Sequence, residues 1–350
     1  MKKLYNQLDK RILMQQMEES KEARVTLSFY QYAHILNPAF FRDFLFYNWD
    51  TFDVLGRTYV AKEGINGQIS VPERTFEAFK EHLYSIKFLE GIRLNIAVED
   101  NGKSFYKLKI KVREKIVADG LNDETFDVTK RGKHLDAEEF NELTDDPNTI
   151  LIDMRNHYES EVGHFEGALT PDADTFREEI KMVEDILEGQ NDKNIVMYCT
   201  GGIRCEKASA WFKHKGYENV HQLNGGIIEY ARQVNEKGLK NKFIGKNFVF
   251  DERRAERITE DVIANCHQCG NPCDNHTNCA NHGCNLLFIQ CEECASKLNS
   301  CCTPVCKEVI SWPEEKQAEW RKENTVSNKV YRKGRLDKLL TQGVYFASGK

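Results

Sequence analysis

One short run of this 350-residue chain carries residue types able to do covalent chemistry: Tyr198-Cys199-Thr200-Gly201-Gly202-Ile203-Arg204-Cys205. It follows an apolar, β-branched stretch. It leads into a helical pattern in which Ala208, Trp211 and Phe212 form an apolar stripe. A Gly-rich strand-to-helix turn aims several backbone N–H groups at one point, and the helix dipole adds positive potential there. Gly201 and Gly202 permit the positive φ values that such a cradle requires. Arg204 and Lys207 are expected to add full charge. A cysteine at this mouth, Cys199, is expected to have a lowered pKa and to be a thiolate near neutral pH. That makes it a nucleophile, with Arg204 and the loop residues Thr200, Gly201, Gly202 and Ile203 stabilising the charge that develops on its target. Cys205 either resolves an oxidised Cys199 or is a small residue in the first helical turn.

These residues need a scaffold to hold them. Ile150 to Asp153, Ile195 to Cys199 and Val220 to Leu223 are short and β-branched, as buried parallel strands are. Helical patterns alternate with them at Thr175 to Leu187, Glu206 to Lys215 and Ile227 to Asn235. The alternation predicts a doubly wound α/β unit over residues 130–240. Residues 1–118 predict a separate α+β unit. Its strands are Arg24 to Tyr32, Arg57 to Ala61, Gln68 to Val71 and Ile92 to Val98, its helices Pro38 to Tyr47 and Thr75 to Ser85, and its Gly- and Asn-rich turn Lys62 to Gly67. The order β-α-β-β-α-β is that of a ferredoxin-like (acylphosphatase-like) fold. Phe105 to Val112 then alternates, with Tyr106, Leu108, Ile110 and Val112 on one face and Lys107, Lys109, Lys111 and Arg113 on the other. Four cations on one strand face are either a solubilising surface or a grip for nucleic acid or another polyanion.

Ten of the twelve cysteines fall between Cys266 and Cys306, within a Cys-rich extension over residues 241–310. Cys266-x-x-Cys269 and Cys291-x-x-Cys294 are separated by twenty-one residues, close to the spacing of a four-cysteine zinc site. Cys273, Cys279, Cys284, Cys301, Cys302 and Cys306 offer material for a second site, with His267, His276 or His282 as further ligands. A structural zinc would cross-link a stretch poor in apolar residues. Disulfides or free thiols are the alternatives. Residues 311–350 read as a charged helix and a basic tail whose Arg332, Lys333 and Arg335 are either a solvated end or a second phosphate grip.

The net charge of −6 argues against a uniformly basic surface, but the average hides an asymmetry. Asp136 to Asp192 holds eighteen carboxylates against three basic residues, whereas Lys103 to Lys115 holds six basic residues and one acid. A polyanion would meet the ends of the chain and not its middle. No run approaches the roughly 18–20 apolar residues of a membrane span. The segment Met1 to Asp9 lacks the apolar core of a signal peptide. A cytoplasmic protein with no membrane partner is expected.

The central unit resembles the rhodanese domain. Cys199 to Arg204 resembles its six-residue active loop, Asp153-Met154-Arg155 its Asp-x-Arg at a strand end, Gly163-His164-Phe165-Glu166-Gly167-Ala168 its Gly-His-x-x-Gly-Ala signature, and Leu223-Asn224-Gly225-Gly226 its late Gly-Gly turn. Thr170-Pro171-Asp172 departs from the pattern, which usually places an apolar residue before that proline. Phosphatases of the same fold resemble Cys-x5-Arg, one residue longer than the loop here. The longer stretches Ala61 to Ser70, Asp153 to Glu159, Cys199 to Ala208 and Phe243 to Asp251 are similar to the rhodanese-family tRNA uridine hydroxylases of bacteria. The resemblance implies an oxidoreductase that makes 5-hydroxyuridine at the wobble position of tRNA. Molecular oxygen would be co-substrate, the tRNA anticodon loop the partner in place of DNA, and an electron donor of unknown kind would be required. Asp153 and Arg155, by that resemblance, and Cys205 and Lys207, by their place beside the loop, are expected to support the site. No flavin, haem or nucleotide motif is visible. Two other functions use the same residues differently: a thiosulfate or persulfide sulfurtransferase, which needs Cys199 but not the flanking units, and a non-catalytic binding module organised by the cysteines, which does not need Cys199.

Overall fold

A computed structural model of the chain describes residues 10–98, 100–123 and 125–323. After helix α1 (Lys10–Glu19), the first unit runs β1 (Arg24–Tyr32), α2 (Pro38–Thr51), β2 (Leu55–Ala61), β3 (Gly64–Pro72), α3 (Glu73–Ser85), β4 (Asn95–Ile96) and β5 (Leu108–Val112). The sheet order is β4-β1-β3-β2-β5, so the expected ferredoxin-like sheet gains β5 at its edge, parallel to β2. Pro38 sits in the first turn of α2, where its missing N–H costs nothing, and the Asn37 side chain accepts from the N–H of Phe40. Leu27, Phe29, Ile65, Ile69 and Val60 point from one sheet face into a core with Trp49, Phe79 and Leu83 of the two helices. The opposite face stays polar.

Three expectations change here, the first being that the strand expected over Ile92 to Val98 is only Asn95–Ile96. Gly64 to Gly67 is not a turn but the start of β3, fully paired with β1 and β2. Gly67 belongs in the strand because the Phe29 ring fills the space a Cβ would need, at 2.7 Å. The basic strand begins only at Leu108, and Val112 is exposed, so the apolar face is shorter than the alternation suggests.

The second unit runs β6 (Lys133–Leu135), α4 (Ala137–Thr144), β7 (Thr149–Asp153), α5 (His157–Ser160), β8 (Gly163–Phe165), α6 (Phe176–Leu187), β9 (Asn194–Tyr198), α7 (Ile203–His214), β10 (Val220–Leu223) and α8 (Gly226–Lys237). Its four-stranded sheet has the order β6-β10-β9-β7, and every pairing is parallel. Alternate residues of the central strands feed two cores, as expected of a doubly wound sheet. Ile152, Ile195 and Met197 pack against Phe176, Val183 and Phe212 on one side. Leu151, Val196 and Tyr198 pack against Phe140, Ile227 and Tyr230 on the other. Past Ala168 the chain stays against the sheet, because the Leu169 N–H donates to the Leu151 carbonyl at 2.8 Å.

β11 (Phe243–Phe248) then pairs with β8 and with β12 (Ala255–Arg257). The Cys-rich stretch folds around a hairpin of β13 (His276–Asn278) and β14 (Leu287–Ile289). α9 (Glu292–Leu298), α10 (Pro304–Ile310) and α11 (Glu314–Glu323) follow. Alternation along β14 separates two small cores: Leu287 and Ile289 join one, Leu286 and Phe288 the other. No helix of the described residues is long and apolar enough to cross a membrane. Arg332, Lys333 and Arg335 lie outside the described residues.

Candidate active site

The Cys199 side chain sits where β9 gives way to the loop before α7, and it is 1% exposed. The Gly202 N–H donates to its sulfur at 3.1 Å. Burial opposes ionisation of this thiol. Even so, the Cys205 thiol, the Arg204 charge and the N–H groups of Cys205 and Arg204 bring its pKa from 9.0 down to about 6. Cys205 moves the other way. Burial first, then the hydrogen bond and charge of Cys199, push its pKa well up, so it stays protonated as the donor to the Cys199 thiolate. Gly202 adopts φ +98°, as the first residue before α7. The loop is braced from below by α8, whose Ile227 and Ile228 N–H groups donate to the carbonyls of Cys199 and Thr200 at 3.0 and 3.3 Å.

Arg204 bears on Cys199 as expected, although a carboxylate pairs with it, whereas Lys207 does not present its charge to this loop. Arg204 forks onto Glu159 of α5, Nη1 to Oε1 at 2.6 Å and Nη2 to Oε2 at 2.8 Å, while lining the cavity over Cys199. Lys207 turns away, to Glu63 at 2.9 Å and to Asp119. Both are buried, and a buried cation without a carboxylate would be far too costly. Asp153 and Arg155 form a second fully buried pair behind the loop, at 2.6 Å, with Arg155 also donating to the Gly163 carbonyl.

The polar face of the first sheet roofs the loop. Asn95 Nδ2 lies 3.4 Å from the Gly201 carbonyl, Tyr32 donates to the Ile203 carbonyl at 3.4 Å, and Tyr30 donates to Glu206 at 3.1 Å. Between roof and loop lies a cavity of about 450 Å³ that reaches Cys199, Thr200, Gly201 and Arg204 below and Ser28, Tyr30, Gln68 and Asn95 above, with Phe250 and Arg253 of the third unit as a wall. That volume suits a nucleoside-sized ligand. Strand register places Asn95, Ser28, Gln68, Arg57 and Lys109 in one row across all five strands. The row leads from above Cys199 to the basic edge strand about 19 Å away, at ~4.8 Å per strand. Burial, then the like charges of Lys111, Lys107, Arg57 and Arg113, lower the pKa of Lys109, so the expected cations do crowd together. Lys107 lies over the Tyr106 ring and Arg113 over that of Tyr59. Sequence reasoning missed Glu159 as the partner of Arg204, and the roof residues Ser28, Tyr30, Gln68, Asn95 and Arg57. The signal for the roof was present, since Ser28, Tyr30 and Tyr32 alternate with the core residues Leu27 and Phe29.

The structure brings Cys266, Cys269, Cys291 and Cys294 together, and separately Cys279, Cys284, Cys302 and Cys306, with the four sulfurs of each set all within 4.8 Å of one another. The sulfur–sulfur distances Cys269–Cys291, Cys284–Cys302 and Cys302–Cys306 are 3.6, 3.6 and 3.8 Å. A tetrahedron of Zn–S bonds near 2.3 Å has edges of about 3.8 Å, so both sets fit such an ion. Backbone N–H groups of Cys291 and Cys302 donate to Cys266 and Cys279 sulfurs at 3.4 Å, as thiolate ligands require. Cys273, Cys301 and the three histidines belong to neither set. His267 instead pairs with Glu161 at 2.8 Å, and His276 packs on Phe248.

Three family models match the chain: UPF0176 acylphosphatase like domain over residues 24–116, Rhodanese-like domain over 136–233 and Rhodanase C-terminal over 244–307. Curated relatives match nearly end to end. The tRNA uridine(34) hydroxylase of Photorhabdus laumondii is 54% identical over 333 residues, covering 95% of this chain and 95% of the relative. The protein of that name from Leptospira interrogans is 51% identical over 350 residues, covering 99% and 95%.

Proposed function

The chain belongs to the tRNA uridine(34) hydroxylase family, and we propose on that premise that it converts the wobble uridine of tRNA to 5-hydroxyuridine with Cys199 as nucleophile and molecular oxygen as co-substrate. The observation that carries the reading is the low-pKa Cys199 at the floor of a nucleoside-sized cavity roofed by another unit of the chain. A sulfurtransferase acting on small sulfur donors has no use for such a roof. An anticodon base, already unpaired in its loop, swings out into the cavity at little cost.

The thiolate adds to C6 of uracil, and the displaced electron pair makes C5 an enolate carbon. C5 takes up oxygen. Two electrons from an external donor and, in net, two protons then cleave the O–O bond, leaving a hydroxyl on C5 and one water. Loss of the C5 proton expels the Cys199 thiolate and restores the ring. The backbone N–H groups of the loop stabilise the charge that builds up during the addition. Arg204 acts as a positioning residue, since its guanidinium is committed to Glu159. Lys109 and Lys111, with Arg57 between them and the cavity, hold phosphates of the same RNA, and Lys107 and Arg113 flank that strip. Trapping tests the addition step: tRNA carrying 5-fluorouridine at the wobble position is expected to form a covalent adduct with wild type and none with Cys199→Ala. Absence of an adduct with enzyme that hydroxylates normally would remove C6 addition from the mechanism.

Both four-cysteine sets bind zinc in this reading, Cys266, Cys269, Cys291 and Cys294 holding one ion and Cys279, Cys284, Cys302 and Cys306 the other. The ions would supply cross-links. Cys266 and Cys294 share a small core with Tyr158 and Phe248, so an ion held there would stiffen the wall of the cavity that Tyr158 lines.

A further inference from the structure

Asn95, on β4, touches the loop that carries the nucleophile. It is 5% exposed, lines the cavity shared with Cys199, and sits at the cavity end of the cross-strand row. Its Nδ2 donates to the Gly201 carbonyl, two residues from the nucleophile. Its Oδ1 is buried and has no hydrogen-bond partner among the described residues. Buried acceptors are nearly always satisfied, and the exceptions call for an explanation. The Gly201 carbonyl fixes which end of this amide is the donor, so the orphaned end is an acceptor by construction.

We propose that Asn95 is the residue that distinguishes uracil from cytosine in this site: its Oδ1 accepts from uracil N3–H, and the second hydrogen of its Nδ2 meets O4. The inference rests on the wobble-uridine reading above. Cytosine presents the opposite pattern, an acceptor at N3 and a donor at the 4-position. An amide already tied to Gly201 cannot turn over to match it. A small rotation about the Asn95 side-chain bonds, as the base enters, brings Oδ1 to the cavity surface. The N-terminal unit thereby supplies base identity, while the central unit supplies the nucleophile.

Binding tests this without turnover. The full-length Cys199→Ala protein would be titrated with two anticodon stem–loops that differ only in U or C at the wobble position, with and without Asn95→Ala. The U stem–loop is expected to bind more tightly than the C stem–loop, and Asn95→Ala is expected to shrink the ratio by about ten- to a hundredfold, the discrimination one bidentate side-chain–base contact provides. A purely structural role for Asn95 would weaken both stem–loops together and leave the ratio unchanged, which would overturn the proposal. Equal binding of the two by the Asn95 protein would overturn it as well. Failure of both stem–loops to bind would instead overturn the wobble-uridine reading on which it stands.

Discussion

Lys207, on the helix that follows the nucleophile, reaches across to Glu63 in the turn between the second and third strands of the N-terminal sheet, at 2.9 Å. Asp119 in the linker closes the same cluster and also receives Lys115 at 2.6 Å. The Glu63 carboxylate accepts from the Ile116 N–H as well, at 2.7 Å. One ammonium thus fastens roof, linker and floor. Lys207→Met leaves Glu63 without its cation and Asp119 with Lys115 alone, at a cost below the roughly 3–5 kcal/mol of a fully uncompensated buried charge. The variant is expected to melt earlier and to expose Cys199 to iodoacetamide faster than wild type, measured by mass spectrometry of the alkylated peptide. Unchanged alkylation would show that the roof is held by other means.

Cys199 makes the site pH-dependent. Its folded-state pKa of about 6 lies below the roughly 8.5 of a free thiol. The thiolate therefore contributes stability that is complete above the unfolded value and is lost as pH falls through about 6. The part of the thiolate absorbance near 240 nm that Cys199→Ala removes is expected to fall with a midpoint near pH 6 in wild type. Replacing Cys205 by alanine removes a donor to the sulfur and should raise that midpoint. A wild-type midpoint of 8 or higher would contradict the cradle.

Much of this was legible in the sequence because it is local. Arg24 to Tyr32 alternates cleanly and forms a strand with those bounds. The loop from Cys199 to Arg204 announces itself through its glycines and the helix after it. What escaped is set by register and burial between distant segments. Nothing near Arg204 says that Glu159 will neutralise it, and nothing near Asn95 says that pairing with Ser28 will hold it over Gly201. Gly64 to Gly67 read as a turn because glycine is usually punctuation, whereas Gly67 makes room for Phe29. Among the cysteines, the CxxC pairs were found by spacing. The second set, Cys279, Cys284, Cys302 and Cys306, has no such repeat and emerges only when the hairpin folds.

The cationic edge has a salt signature. Arg57→Ala with Lys109→Ala should weaken tRNA binding for U and C at the wobble position alike. It should also flatten the slope of log K against log salt by about 0.7–0.9 for each phosphate contact removed. A double variant with the wild-type slope would show that this strand faces solvent only.

The cysteine sets predict metal content. Protein purified under reducing conditions is expected to carry about two zinc ions per chain by elemental analysis, one for each set. Cys279→Ser should lose one and Cys266→Ser the other, and chelation should lower the melting temperature. Metal-free protein with disulfides in these sets would refute the assignment.

Cys199 is proposed to carry hydroxylation of the wobble uridine. The most direct test is mass spectrometry of tRNA nucleosides from cells lacking the gene and complemented with wild type or with Cys199→Ala. 5-Hydroxyuridine and its derivatives are expected to return with wild type alone; equal restoration by both proteins would show that Cys199 is not the nucleophile.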